Sequence, residues 1–187
     1  MDNILFIDAC ARENSRTRVL AKYLLGKFDG NITTLNLYRL NLSPVDGDTV
    51  NRRDIALQNG DFDDPLFDLS KQFAAADIIV IAAPYWDMSF PSILKEYIEN
   101  ICVNGITFHY GTGGAVGDCK GRDLYYVTTA GGCIINKDYG YGYISDLSKN
   151  MLGINRAHYI AAENLDTVGA DVSAILSKAK MDIDLRF

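Results

Sequence analysis

The run Asp77-Ile78-Ile79-Val80-Ile81-Ala82-Ala83 constrains this chain more than any other segment. It is short, β-branched and almost free of polar residues. It therefore reads as a strand buried on both faces, a property of parallel sheets covered by helices. Pro84 stops the run, and Tyr85, Trp86, Asp87 and Met88 follow at the strand's carboxyl end. Pro91 suits the first turn of a helix, where its missing N–H costs nothing. Ser92 to Val103 then carries Ile93, Leu94, Tyr97, Ile98 and Ile101 along one face. In open parallel sheets, ligands bind beyond the carboxyl ends of the strands. An aromatic pair at that edge suits a flat, conjugated ligand better than a sugar or a metal.

The rest of the chain repeats the alternation. Strands are expected at Asn3 to Asp8, Ile32 to Tyr38, Asp123 to Thr129 and Ala157 to Ala162. Helices are expected after Ser15, with Val19, Leu20, Tyr23, Leu24 and Phe28 at helical spacing and Gly30 as the stop, and at Pro65 to Ala75, Tyr143 to Leu152 and Val168 to Ala179. Ser43 to Asp64 is polar and reads as an excursion with regular structure only near Asn51 to Gln58. Gly105 to Gly121 reads as loop with one extended piece, Ile106 to Tyr110. Strands alternating with helices imply a parallel sheet covered on both faces. The expected fold is α/β, a doubly wound five-stranded parallel sheet in the order 2-1-3-4-5, in one domain spanning residues 1–187.

Composition removes several classes of function. A net charge of −6 and a pI near 4.8 argue against nucleic acid and anionic membrane surfaces as partners. No apolar run approaches a membrane span. The N-terminal residues lack the basic region of a secretory signal, so a cytoplasmic location is expected. Cys10, Cys102, Cys119 and Cys133 are widely spaced, and His109 and His158 have no metal-spaced partners. Neither a disulfide framework nor a metal site is expected.

Three loops open on one edge in that strand order. The first, Cys10-Ala11-Arg12-Glu13-Asn14-Ser15-Arg16-Thr17, leads into a helix N-terminus, where free N–H groups and the macrodipole favour an anion. Ser15 and Thr17 add hydroxyls, and Arg12, Arg16 and Arg18 add positive charge. An ordinary serine cap with exposed arginines would read the same way. There is no G-x-x-x-x-G-K-[ST] and no G-x-G-x-x-G, which disfavours a nucleotide triphosphatase or a dinucleotide-type site. The second loop is Pro84 to Phe90, where Tyr85 and Trp86 could equally be core packing at a strand end. The third is Thr128-Thr129-Ala130-Gly131-Gly132, either a simple turn or a place where backbone comes close to a ligand. A phosphate loop, an aromatic loop and a glycine loop on one sheet edge describe a flavin mononucleotide site.

These residues resemble the flavodoxin-like NAD(P)H:quinone oxidoreductases, a family that includes the FMN-dependent NADH-azoreductases. Ser15-Arg16-Thr17 matches the phosphate loop, and Asn36-Leu37-Tyr38 with Pro44 the stretch after the second strand. Ala83-Pro84-Tyr85-Trp86-Asp87-Met88 with Pro91-x-x-Leu94-Lys95 matches the flavin-edge loop and helix. Gly105-Ile106-Thr107-Phe108-x-Tyr110 and Thr128-Thr129-x-Gly131-Gly132 match two further motifs. The resemblance implies FMN rather than FAD, held by Cys10, Ser15, Arg16, Thr17, Pro84, Tyr85, Trp86, Asp87, Met88, Thr129, Ala130, Gly131 and Gly132. It also implies substrate contacts from Phe108, Tyr139 and Tyr141.

The implied activity is two-electron, ping-pong reduction of quinones, azo or nitro compounds by NADH or NADPH. The flavin carries the chemistry, so no side chain is assigned as catalytic. A homodimer is implied, with the residues around Tyr97 and Ile101 and the loop from Gly105 to Gly117 as the expected interface. Asp87, Ala130 and Asn164 depart from the azoreductase pattern, which has Asn, Arg and Gly at those places. The alternative reading is a flavodoxin-like electron carrier, or an FMN-binding protein without nicotinamide activity of its own. The long phosphate loop and the G-x-T-F-x-Y segment weigh against it.

Overall fold

The computed structural model describes all residues, 1–187. Its main sheet is built from β1 (Asp2–Asp8), β2 (Gly30–Asn36), β3 (Ile78–Ala82), β6 (Asp123–Thr129) and β7 (Arg156–Ala162). Their order is β2-β1-β3-β6-β7, with every pair parallel, so the expected 2-1-3-4-5 arrangement is present. A separate antiparallel hairpin, β4 (Phe108–Gly111) and β5 (Gly114–Gly117), stands apart from the sheet. The central strands are apolar because both faces are covered. All of Ile78 to Ala82 is buried, and so is all of Asp123 to Thr129.

Two layers of helix provide that cover. Alpha-helices α1 (Arg16–Leu25) and α6 (Val172–Asp184) close over Ile4, Phe6, Val80 and Val127. On the other face α3 (Asp68–Ala75), α4 (Ser92–Ile101) and α5 (Tyr143–Asn150) close over Leu5, Ile7, Ile79, Ile81 and Leu124. Leu20 and Leu24 are fully buried, but Val19 faces solvent, so the buried stripe of α1 runs through Thr17 and Ala21 instead. The stop of that helix is Gly26, and Gly30 instead opens β2, pressed against the Asp2 carbonyl of β1.

Other boundaries moved for local reasons. The polar excursion contains a full helix, α2 (Gly47–Gln58). The Asp46 carboxylate caps it by accepting from Thr49 N–H at 2.8 Å. Buried Arg53 anchors it by donating to the Glu99 and Asn100 carbonyls, both at 3.1 Å, at the end of α4. A hydrophobic stripe is almost absent there, so apolar periodicity could not reveal the helix. The closing helix starts later than Val168, because Gly169 has φ +81° and Asp171 caps Ala174 N–H at 2.9 Å. Tyr97 and Ile101, expected at a subunit interface, are both 1% exposed within the core beneath α4. The hairpin tip, with Tyr110 and Val116, is what remains exposed in that region.

The hairpin meets the turn after α5 backbone to backbone. A Cβ on Gly117 would lie 2.0 Å from Gly153 N and 2.1 Å from the Leu152 carbonyl carbon. Neither neighbour is a flexible side chain. Gly117→Ala should therefore lower stability by at least about 2 kcal/mol, the cost typical of overpacking at a rigid contact. A urea midpoint equal to that of the unaltered protein would show that the two turns separate freely.

Candidate functional site

Ladder hydrogen bonds continue past the strand ends and set the loops in order. Ala9 N–H donates to Ala82 at 2.9 Å, Tyr85 N–H to Thr129 at 3.0 Å and Ala130 N–H to Ala162 at 3.0 Å. Between these extensions lies a cleft of about 300 Å³. Ala11, Arg12, Asn14, Ser15 and Arg16 form one wall; Pro84, Tyr85 and Trp86 a second; Thr129, Ala130 and Gly131 a third. The three loops singled out in the sequence thus meet in one cavity, at the β1/β3 point where the strand order reverses.

The first wall is a run of unpaired donors. Ser15 caps α1, its hydroxyl accepting from Arg18 N–H at 3.4 Å. None of the backbone N–H groups from Ala11 to Thr17 has a protein acceptor. The arginines behave differently from one another. Arg12 is exposed on the cleft wall with no ion-pair partner. Arg16 bonds across the cleft, donating to the Asp166 carboxylate at 2.6 Å and the Leu165 carbonyl at 3.3 Å. Arg18 turns away from it and pairs with buried Asp8 at 2.5 Å. Burial opposes the charge on Arg18, but the hydrogen bond to Asp8 and its negative charge outweigh burial and raise the pKa.

The second wall is pinned by a tight turn. Trp86 and Ser89 exchange backbone hydrogen bonds at 2.9 and 2.8 Å. Asp87 and Met88 between them have φ of +49° and +69°, the signature of a type I′ turn. Asp, like Asn, tolerates that conformation better than most residues, so the turn accommodates Asp87. Asp87 and Met88 are exposed at the turn and do not line the cleft. Trp86 is 40% exposed, a large indole face at the cavity wall. Ser89 Oγ also bonds the Tyr139 carbonyl, tying this turn to the π-helical segment Asp138–Gly142.

The third wall is zipped to the loop after β7. Asn164, Leu165 and Asp166 N–H donate to the Gly132, Ala130 and Gly131 carbonyls at 3.0, 3.1 and 2.9 Å. A Cβ on Gly131 would come 2.6 Å from the Asp166 carboxylate, so a larger residue there would push that side chain aside. Asn164 takes φ +64°, a conformation glycine adopts without strain, so the departure from Gly at this position keeps the same backbone. Leu165 and Asp166 line the cleft, and the sequence reading did not single them out. Their signal was positional, since a fifth strand in this order opens its loop on the same edge.

The other anticipated residues do not line the cleft, and Phe108, on the hairpin that packs against the turn before β7, lies toward the opposite edge of the sheet. The Thr17 hydroxyl is buried and bonds that of Thr129 at 2.6 Å, joining two walls from behind. Gly132 follows the lining residues. Tyr141 donates to the Ala157 carbonyl at 2.9 Å and packs on Tyr126 and Tyr159. Phe108 is buried edge-on against Tyr110, and Tyr139 is exposed. No group of His, Cys, Asp and Glu is arranged to hold a metal, and no helix is long and apolar enough to cross a membrane.

Fold and cleft together define an open, doubly wound α/β protein with a cleft at its strand-order reversal. The family model described as "Flavodoxin-like fold" matches residues 2–186, and the chain belongs to that family. It is 36% identical over 188 residues to FMN-dependent NADH:quinone oxidoreductase 2 of Clostridium acetobutylicum, covering 94% of this chain and 93% of that one. It is 30% identical over 196 residues to FMN-dependent NADH:quinone oxidoreductase of Coprothermobacter proteolyticus, covering 98% and 97%. Two solved structures from Bacillus anthracis share the fold. An azoreductase from strain Sterne superposes with a TM-score of 0.85 at 20% identity, covering 100% of this chain and 98% of that one. An FMN-dependent NADH-azoreductase in complex with FMN superposes with a TM-score of 0.82 at 24% identity, covering 100% and 97%.

Cys10 lies at the end of the first strand extension, buried, with its thiol 3.6 Å from the Ala82 carbonyl. Burial pushes its pKa up to about 12, and likewise Cys119 to about 12 and Cys102 to about 11. A thiol raised in the folded state stabilises the fold fully below its unfolded value of about 8.5 and loses that contribution as pH rises toward the folded value. The urea midpoint should therefore fall between pH 8 and pH 11, and less steeply in a Cys10→Ala, Cys119→Ala variant. An identical slope in both proteins would show that these thiols ionise as freely folded as unfolded.

Proposed function

We propose that the protein is an FMN-dependent NADH:quinone oxidoreductase that also accepts azo and nitro compounds. The observation that carries this reading is the run of acceptor-free N–H groups from Ala11 to Thr17, facing an aromatic wall and a glycine wall in one cleft. Such a run suits a phosphate, and an exposed indole beside Pro84 and Tyr85 suits a planar ring. Two relatives of at least 30% identity are named for FMN, NADH and quinone, which supports the same assignment.

The residues fit that cofactor. The N–H groups of residues 11–17, with the Ser15 cap and Arg12, would hold the phosphate. Pro84, Tyr85 and Trp86 would flank the ring on one side, and the backbone of Thr129, Ala130 and Gly131 on another, with Gly132, Asp87 and Met88 at the margins. Cys10 and Thr17 would back the site without touching the reacting atoms. Bound there, FMN would supply the redox chemistry, two-electron transfer between a nicotinamide and an acceptor, which no side chain of the cleft can supply. A cleft of about 300 Å³ lies at the small end of ligand sites. The flavin itself would fill it, so nicotinamide and acceptor would take turns at the flavin's open side, giving ping-pong kinetics. Tyr139, exposed and tied to the aromatic turn through its carbonyl, would meet the acceptor. The exposed hairpin tip, with Tyr110 and Val116, is the surface we assign to a homodimer contact.

The protein as purified, or reconstituted with FMN, should be yellow. Its visible absorbance should bleach on anaerobic addition of NADH and return on addition of a quinone. A colourless protein that takes up no FMN would overturn the reading. A yellow protein that NADH leaves unbleached would make it an electron carrier instead.

Asp166 supplies a second test. Its carboxylate occupies Arg16 and lies on the cleft wall, where it would repel a phosphate dianion. Asp166→Asn should tighten FMN binding by about tenfold, roughly 1.4 kcal/mol, and leave riboflavin affinity unchanged. Weaker FMN binding by fluorescence titration would mean that the Arg16–Asp166 pair is needed to shape the cleft.

A further inference from the structure

We propose that Arg18 is the positioning residue of the phosphate loop, acting through the backbone and not through its charge. The inference rests on the flavin nucleotide reading given above. The Arg18 side chain is 14% exposed and packed beneath the loop. Its Nε donates to Asp8 Oδ2 at 2.5 Å, Nη2 to the Cys10 carbonyl at 2.5 Å, and Nη1 to the Arg12 and Glu13 carbonyls at 2.5 and 2.8 Å. The other oxygen of Asp8 accepts from Cys10 N–H at 3.0 Å. Asp8 is 3% exposed, so one buried carboxylate and one planar guanidinium gather three carbonyls of a single turn.

The consequence follows from peptide geometry. In a planar trans peptide the N–H of one residue points opposite to the C=O of the residue before it. When the carbonyls of Cys10, Arg12 and Glu13 are drawn onto Arg18, the N–H groups of Ala11, Glu13 and Asn14 are turned away from it. Ala11, Arg12, Asn14, Ser15 and Arg16 line the cleft, and none of those N–H groups is used by the protein. Arg18 therefore builds an anion-binding nest from behind without reaching the anion. A guanidinium serves where an ammonium would not, because Lys offers one compact donor point and cannot span Asp8 and three separate carbonyls.

The test compares flavins that differ only at the phosphate, together with the order of the loop. Arg18→Met and Arg18→Lys should each weaken FMN binding to the apoprotein by at least about tenfold while changing riboflavin binding less than about twofold. Backbone ¹⁵N order parameters of residues 10–14 should fall from about 0.85 to below about 0.6 in both variants, with those of α1 unchanged. Because Arg18→Met alone leaves the Asp8 carboxylate buried and unpaired, Arg18→Met combined with Asp8→Asn provides a variant without that buried charge. Restoration of FMN affinity by Lys would show that charge, not the fork, is what counts, and would overturn the proposal. Equal losses for FMN and riboflavin, or a loop as rigid as in the unaltered protein, would overturn it too. If the unaltered protein binds neither flavin, the functional reading fails, and the order parameters still decide whether Arg18 sets the loop.

Discussion

Parallel pairing is the constraint on which the rest depends. A chain that adds a parallel strand must first return to the same end of the sheet, so every strand delivers its carboxyl end to one edge. Here β1 lies between β2 and β3, and Ile4 to Asp8 pair with both. The chain leaves β1 and β3 in opposite directions across the sheet, and the gap between their loops becomes the cleft. Nothing in the loops themselves has to create a cavity. They only have to fill its walls with suitable groups, and the backbone bonds from Ala9, Tyr85 and Ala130 set them in register with the sheet.

The electrostatics of those walls differ from the impression that three nearby arginines give. Arg18 is committed to Asp8, and Arg16 to Asp166, so each positive charge has its own carboxylate close by. In a chain of net charge −6, an anion entering the cleft meets mainly oriented N–H dipoles, with Arg12 the one unpaired cation among the three. Fixed dipoles cost little reorganisation when a ligand binds. They also hold a direction, which a flexible surface lysine or arginine does not.

Sheet order and the three converging loops were legible in the sequence because each rests on a local signal. The β-branched run at Ile78 to Ala82 could only be a covered strand, and its bounds agree with the structure to within one residue. The features that stayed hidden depend on contacts between distant segments. Helix α2 is held by one cap, by Arg53 reaching the end of α4 and by Ala56 packed with Phe67 and Val103, contacts that leave almost no apolar periodicity in its own sequence. Asp166 reaches the cleft because residues 164–166 zip onto residues 130–132, a pairing that no spacing announces. Arg18 looked like one more positive charge by composition, and only the directions of the Cys10, Arg12 and Glu13 carbonyls reveal its inward role.

Trp86 has a practical consequence. It is the chain's single tryptophan, and its indole stands at the cleft wall, partly open to water. Indole emission excited at the red edge of the ultraviolet band therefore reports from one location, with no second fluorophore of its kind to dilute it. A coloured guest in that cleft would lie close enough to drain this emission by resonance transfer, and an uncoloured one would shift its wavelength by displacing water. The protein thus carries its own optical gauge of occupancy, which needs no label.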